Sequence, residues 1–314
     1  MTWEKIKGQE KAIEILQADI ESSRVTHAYI FSGIEGIGKE LAAFEFIKAL
    51  NCENSYANIC CESCTTCNKI NKKTHPEVNI VAPQDNIISI DQIRDLQKDL
   101  ILKPLGIKVK CFIIEESEKL TLESSNCFLK SLEEPPDKVV FILIANKKSS
   151  LLPTITSRCK EIKFTPLSYN LQKEIFKSWQ LEENTINILI DFCEGSPGKA
   201  KKYLSYNIQY WFTRVTTWIS KLSKTNSEDC YQICQEFTSI NNQELTSIIL
   251  DLFIYYFGLC ILKPENNSFS LNNTILKKLI ALVQQTKQNI SQRINLSLAL
   301  EVMLLNIMEA KYEQ

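Results

Sequence analysis

Short apolar runs alternate with amphipathic segments in the first half of the chain. The runs lie at Ala28–Phe31, Val78–Val81, Val109–Ile114 and Val139–Ile144. Apolar runs of this length, without polar alternation, are typical of strands buried on both faces of a parallel sheet. The segment after Asp91, a candidate N-cap, has its apolar residues at helical spacing. The alternation therefore predicts an α/β domain whose ligands bind at the carboxyl ends of the strands.

The strand pattern stops at about Pro166, and only helical patterns follow. Three short ones lie between residues 167 and 205, and the third begins at the Gly-Ser-Pro-Gly sequence of residues 195–198. From about residue 206 onward, apolar residues recur at helical spacing to the end. We therefore predict three domains: an α/β domain over 1–165, a small helical domain over 166–205 and an all-α domain over 206–314.

The charge and hydropathy of the whole chain argue against two classes of protein. The 314 residues include 36 Lys and Arg against 37 Asp and Glu, so the chain lacks the basic excess of a protein that holds DNA unaided. The longest apolar run, Leu252–Leu262, is shorter than the roughly 18 to 20 residues that span a bilayer. The charged N-terminus is unlike a signal peptide. We expect a cytoplasmic protein without membrane contact, whose cysteines are free or bound to metal.

A cluster of glycines marks a candidate phosphate-binding loop. Three of the eight glycines fall at Gly33, Gly36 and Gly38, and Lys39 follows them. This G-x4-G-K pattern, between a predicted strand and a predicted helix, is typical of a loop whose N–H groups and lysine bind phosphates. The next residue is normally Ser or Thr, which ligates Mg²⁺, but here it is Glu40. Two alternatives stay open, a loop kept for packing and a weak nucleotide site; both are favoured over ATP hydrolysis.

Two acidic residues end the third predicted strand. Glu115 and Glu116 stand where a nucleotide site carries one carboxylate that holds Mg²⁺ and one that polarises water. Glu115 is a methylene longer than the usual Asp, which would displace its carboxylate. The alternative is that both residues simply cap the strand.

Four cysteines have the spacing of a zinc site. Cys52, Cys61, Cys64 and Cys67 form C-x8-C-x2-C-x2-C. Four thiolate ligands leave no open position for catalysis, so we predict a structural zinc ion. Cys60 competes with Cys61, but only Cys61 keeps the two-residue spacer to Cys64.

Together these motifs resemble the clamp-loader AAA+ family of bacterial DNA polymerase III. The resemblance covers residues 1–165 and rests, besides the cysteines, on the segments His27–Gly33, His75–Glu77, Phe128–Pro136 and Leu152–Cys159. It implies an AAA+ P-loop domain, followed by a helical lid over 166–205 and a helical collar for oligomerisation over 206–314.

The resemblance also implies roles for single residues. Arg158 falls where the family supplies an arginine finger to a neighbouring subunit's ATP site, and Asn146 falls at the sensor-1 position. The sensor-2 arginine should follow Gly195-Ser196, but the sequence continues Pro-Gly-Lys. This departure, with those at positions 40 and 115, favours the delta-prime class of subunit over the gamma/tau ATPase class. We also expect no long tau-type extension after residue 314.

The function that the resemblance implies is that of a largely non-catalytic stator in loading the sliding clamp onto primed DNA. Expected partners are the gamma/tau ATPase subunits and the delta subunit, with the clamp and the DNA reached through the assembled polymerase complex. Expected cofactors are structural Zn²⁺ but not tightly bound ATP with Mg²⁺. One alternative is an active gamma/tau-like ATPase in which Glu40 and Glu115 still bind Mg²⁺. Another is a zinc-containing DNA adaptor unrelated to clamp loading.

Overall fold

Parallel strands form a single sheet in the first part of the chain. In the computed structural model, which describes residues 3–55, 59–101, 107–224, 227–240, 242–262, 272–291 and 295–309, this sheet has five strands in the order β2-β3-β4-β1-β5. The strands are β1 (Ala28–Ser32), β2 (Val78–Val81), β3 (Lys110–Ile114), β4 (Val139–Ala145) and β5 (Lys160–Lys163). All four pairings are parallel. The predicted parallel α/β architecture is therefore confirmed.

The sequence pattern located β1 to β4 but missed β5. Strands β1, β3 and β4 are buried along their whole length, which explains their continuous apolar runs. β5 lies at the edge of the sheet, where Lys160 is opposite Tyr29. Its sequence is Lys-Glu-Ile-Lys, and only Ile162 is buried. An edge strand with one buried residue gives no apolar run to detect.

Helices connect the strands and cover the sheet. They are α1 (Glu10–Glu21), α2 (Lys39–Asn51), α3 (Thr65–Asn71), α4 (Ile90–Ile101), α5 (Leu122–Glu133), α6 (Pro153–Thr156) and α7 (Tyr169–Ser178). Short 3-10 turns lie at Trp3–Lys5, Ser117–Lys119 and Lys148–Ser150.

The N-terminus of α4 differs from the prediction. Asp91 lies inside the first turn, and Ser89 caps the helix. The Ser89 hydroxyl accepts a hydrogen bond from the Gln92 N–H at 3.4 Å, and the Gln92 side chain accepts one from the Ser89 N–H at 3.0 Å. This reciprocal capping box satisfies two N–H groups, whereas an aspartate cap satisfies one.

Aromatic rings form the centre of the core between the sheet and its helices. Phe141 of β4 meets Phe128 of α5 edge-on at a ring-centre distance of 5.3 Å and Phe112 of β3 at 5.6 Å. All three are fully buried. This core fixes the carboxyl ends of β3 and β4, where candidate site residues lie.

The described residues that follow α7 form helices and no strand. These helices are α8 (Glu183–Phe192), α9 (Pro197–Ser205), α10 (Ile208–Lys224), α11 (Ser227–Thr238), α12 (Gln243–Leu262), α13 (Asn273–Ser291) and α14 (Leu296–Glu309). Trp218, Phe237 and Phe253 stack in their core, with ring centres 5.6 Å apart for the first pair and 6.4 Å for the last.

Within the described residues, α12 alone is long and apolar enough to cross a membrane by length and composition. Its mean hydropathy is 2.1, and half of it is buried against other residues of the protein. A core helix of a helical bundle has the same properties.

The chain groups into two compact units. The first comprises Met1–Leu181 and Cys193–Lys199, and the second comprises Glu182–Phe192 and Ala200–Gln314. The division into domains at 165 and 205 stays a prediction.

Candidate functional site

The glycine-rich segment connects the carboxyl end of β1 to the start of α2. Gly33 follows Ser32, the last residue of β1, and Lys39 is the first residue of α2. Gly36 has a φ of 73°, in the left-handed region that favours glycine. The segment therefore has the strand–loop–helix connectivity of phosphate loops.

The ammonium group of Lys39 is turned back onto its own loop. It donates hydrogen bonds to the main-chain oxygens of Gly33 and Ile34, the latter at 2.8 Å. Lys39 is only 6% exposed. Burial lowers its pKa from 10.5 to about 8, while the charges of Glu118 and Glu35 act in the opposite direction. Lys39 is thus an internal donor that ties the loop to itself.

Charged side chains meet beside the N-terminus of α2. The Lys73 ammonium lies 2.5 Å from a carboxylate oxygen of Glu40 and 5.1 Å from the centre of the Phe44 ring. Glu115 directly follows β3. Burial and the charges of Glu40 and Glu116 raise the pKa of Glu115, and the charge of Lys73 opposes this shift. Lys73 therefore supplies positive charge beside Glu40 and Glu115, while Glu116 is paired with Lys119 at 2.7 Å.

Asn146, directly after β4, binds a carboxylate that the sequence analysis did not identify. Its side-chain N–H donates to Glu118 Oε1 at 2.6 Å. The other oxygen, Glu118 Oε2, is buried without a hydrogen-bond partner among the described residues. The adjacency of β3 and β4, in which Ile114 is opposite Leu143, brings these residues together. The pairing of Asn146 with Glu118 could have been predicted only from the order of the strands in the sheet, which places β3 beside β4.

The donor set of this loop does not fit ATP with Mg²⁺. The position of the magnesium-binding hydroxyl carries Glu40, whose carboxylate is paired with Lys73. A carboxylate about 4 Å from phosphate oxygens adds roughly 1 to 4 kcal/mol of repulsion per charge pair. The ammonium of Lys39, which should meet the terminal phosphates, is bonded to loop carbonyls.

Arg158 lies in the turn between α6 and β5. Its guanidinium donates to Glu133 Oε1 at 2.6 Å and to the Thr154 carbonyl oxygen at 2.9 Å. The side chain is 35% exposed. Sequence reasoning missed Glu133, which belongs to α5 and meets Arg158 only in the folded chain. Arg158 is thus a partly exposed cation held in one orientation.

The structure brings together the four cysteines of the predicted zinc site. The Sγ atoms of Cys52, Cys61, Cys64 and Cys67 all lie within 4.8 Å of one another. The Cys61 N–H donates to Cys52 Sγ at 3.2 Å. In the same way, the Cys64 N–H donates to Cys61 Sγ at 3.3 Å, and the Cys67 N–H donates to Cys64 Sγ at 3.4 Å. These hydrogen bonds orient the sulfur atoms toward one another, as the ligands of a metal site require. These residues would hold a tetrahedral zinc ion with no open position, so its role would be structural.

Cys60 lies outside this four-sulfur group. Its Sγ is 3.9 Å from a carboxylate oxygen of Glu45, which is itself paired with the buried Lys48 at 2.8 Å. By contrast, hydrogen bonds with Ser63 lower the pKa of Cys61 to about 6. The geometry therefore favours Cys61 over Cys60 as the ligand.

An open cleft of about 450 Å³ lies next to the loop. Trp3, Ile6, Ile13 and Leu171 contribute to its lining. Ile6 lies beside the loop, because a Cβ on Gly38 would be 3.8 Å from Ile6 Cγ2. Eight of its nine lining residues lie between positions 3 and 14, and Leu171 of α7 is the ninth.

Known proteins of DNA polymerase III resemble this chain, and the family match lies within the first unit. A family model described as DNA polymerase III, delta subunit, matches residues 8–168. DNA polymerase III subunit tau of Bacillus subtilis (strain 168) is 31% identical over 215 residues, which are 66% of this chain and 38% of that protein. DNA polymerase III subunit delta' of the same organism is 34% identical over 168 residues, 53% of this chain and 51% of that protein. The chain thus spans about half or less of the length of these two relatives.

A solved structure extends the likeness to the helical part. The gamma subunit-related protein of DNA polymerase III from Thermotoga maritima has a TM-score of 0.51 and 18% identity, and the match covers 96% of this chain and 99% of that one. At this identity the likeness concerns the fold alone. It supports a parallel α/β domain followed by helices.

Proposed function

Because the chain belongs to the clamp-loader family of bacterial DNA polymerase III, we propose that it is a delta-prime-type subunit. Such a subunit is a largely non-catalytic stator in the ATP-dependent loading of the sliding clamp onto primed DNA. The proposal rests mainly on position 40. Glu40 stands there in place of the magnesium-binding hydroxyl, and its carboxylate is paired with Lys73. Family membership argues against an unrelated zinc-containing DNA adaptor.

Arg158 would be the chain's contribution to ATP hydrolysis. Its partly exposed guanidinium could reach the γ-phosphate bound to a neighbouring subunit, where it would stabilise charge in the transition state. An arginine supplied in trans is worth about 10³ to 10⁵ in kcat. Glu133 and the Thr154 carbonyl would hold it in place before the neighbour binds.

The proposed assembly contains gamma/tau and delta subunits. The sliding clamp and primed DNA would be reached through the complex, because the nearly neutral chain lacks its own basic excess. The helices of residues 166–205 would form the lid, and those of 206–314 the collar that joins the subunits. A structural zinc ion on the four cysteines and a cytoplasmic location complete the proposal.

The test is ATP turnover of the chain alone and of the reconstituted loader with primed DNA. We expect no turnover by the chain alone and a loss of at least about 10³-fold at the adjoining site in Arg158→Ala. Arg94→Ala is the matched control, because Arg94 is also an exposed arginine paired with a carboxylate, at 3.1 Å. Unchanged turnover in Arg158→Ala would refute the role of this arginine.

The second candidate is an active gamma/tau-like ATPase. It is favoured by the tau match, which covers 66% of the chain against 53% for the delta' match. Magnesium-dependent ATP turnover by the purified chain, lost in Lys39→Ala, would establish it. A chain that neither binds nor hydrolyses ATP would exclude it.

A further inference from the structure

The loop over residues 33–38 is in direct contact with a second segment of the first unit, residues 195–199. The Gly198 N–H donates a hydrogen bond to the Gly36 carbonyl oxygen at 2.9 Å. A Cβ on Gly198 would lie 2.5 Å from Gly36 Cα, and a Cβ on Gly36 would lie 2.8 Å from Gly198 Cα. Cβ contacts under 3.0 Å essentially do not occur in proteins. The two backbones can therefore meet only because neither residue has a side chain.

Ser196 makes a second connection between the two segments. Its hydroxyl donates to the Glu35 carbonyl oxygen at 2.5 Å and accepts from the Lys199 N–H at 3.2 Å. Ser196 is fully buried. The same hydroxyl thus caps the helix that begins at Pro197 and binds the loop.

These contacts give partners to the carbonyl groups in the first part of the loop. The oxygens of Gly33 and Ile34 accept from Lys39, and those of Glu35 and Gly36 accept from the 195–199 segment. On its other side, the segment is held by the Leu167 N–H, which donates to the Gly195 carbonyl oxygen at 3.0 Å. Four consecutive carbonyl oxygens, those of residues 33 to 36, therefore have partners from the chain itself.

We propose that the main chain of residues 195–199 is docked onto this loop and fixes its conformation, so that the loop and the segment open together. Gly198 occupies the region where the sensor-2 arginine was expected, and its lack of a side chain permits the contact. The proposal does not rest on the delta-prime assignment, because it concerns contacts within this chain only.

Hydrogen exchange of the full-length chain, read by mass spectrometry on peptides covering 33–40 and 195–200, tests the proposal. Gly198→Ala should increase exchange in both peptides by at least about 10-fold. Alanine is a better helix former than glycine, so helix propensity works against this result. The matched control is Gly258→Ala, also in a helix, where an added Cβ would meet nothing within 4 Å. It should change neither peptide by more than about 2-fold.

Ser196→Ala provides a milder variant if Gly198→Ala does not fold, and it should loosen the same two peptides together. Faster exchange in 195–200 with an unchanged 33–40 peptide would overturn the docking. Faster exchange in both peptides in the variants, with both unchanged in Gly258→Ala, would establish it.

Discussion

Replacing Cys60 and Cys61 one at a time should show which of these adjacent cysteines binds zinc. Four Sγ atoms lie within 4.8 Å of one another, and a tetrahedral zinc site with Zn–S bonds of about 2.3 Å needs them about 3.8 Å apart. Closing the group around a metal therefore requires shifts of less than about 1 Å. Cys61→Ser removes one member of this group, whereas Cys60→Ser changes a sulfur that lies beside Glu45.

The cost of losing the metal follows from what the cysteines hold. α3 has only seven residues, too few to be stable in isolation, and Cys64 and Cys67 join it to Cys52 at the end of α2. If α3 detaches, the fully buried Ile70 is exposed. Exposing one such side chain costs about 2 to 3 kcal/mol, which for a unit of this size lowers Tm by roughly 4 to 12 °C. The sheet has its own aromatic core and should stay folded.

Elemental analysis and thermal unfolding of reduced protein provide the measurement. We expect one zinc per chain in the wild type and in Cys60→Ser, and loss of most of the zinc together with the fall in Tm in Cys61→Ser. Zinc retained by Cys61→Ser but lost by Cys60→Ser would show that the ligand set is wrong. Absence of zinc from all three proteins would refute the metal site itself.

Three other substitutions test the loop, the core and a surface ion pair. Burial lowers the pKa of Lys39 from 10.5 to about 8, so between these values the folded state binds fewer protons than the unfolded state and the free energy of unfolding should rise with pH. Lys39→Met should flatten this rise in urea titrations, and an unchanged slope would contradict it. Phe141→Ala, at a fully buried site, should cost about 3 to 5 kcal/mol in the same assay; a loss below about 1 kcal/mol would contradict the assigned core. Glu133→Gln removes an exposed ion pair with Arg158 and should cost under about 1 kcal/mol, so a loss above about 2 kcal/mol in thermal unfolding would disprove a surface role.

The strands that the sequence predicted are those whose burial leaves a local pattern. β3 and β4 are buried throughout, so each residue adds to an apolar run. β5 is held by pairing with β1 and buries one residue, Ile162, so its signal is not local. The start of α4 was misplaced for a similar reason, because aspartate and serine are both good caps and only the reciprocal bond with Gln92 distinguishes them.

In the candidate site, too, local sequence patterns were predictable and contacts between distant residues were not. Spacing alone identified the four cysteines, because three of them lie within seven residues of one another and Cys52 ends the preceding helix. Glu118, Glu133 and Lys73 were not identified from the sequence. Each of them forms a hydrogen bond or an ion pair with a residue that was: Asn146, Arg158 and Glu40, respectively. These contacts join positions 25 to 33 residues apart, and only the packing of helices and strands brings them together. Sequence spacing predicts chemistry within a loop better than chemistry between loops.

The departures from a nucleotide-binding sequence have partners within the fold. Glu40 is paired with Lys73, whose backbone has a φ of 55°, a conformation that costs a residue other than glycine about 1 to 2 kcal/mol. Gly198 contacts Gly36 so closely that an arginine there could not be accommodated without moving the loop. Replacing Glu40 alone would leave Lys73 without its nearest carboxylate. Replacing Gly198 alone by arginine would push the loop away from residues 195–199. A weak nucleotide site would not need these compensating contacts, so they favour a loop kept for packing.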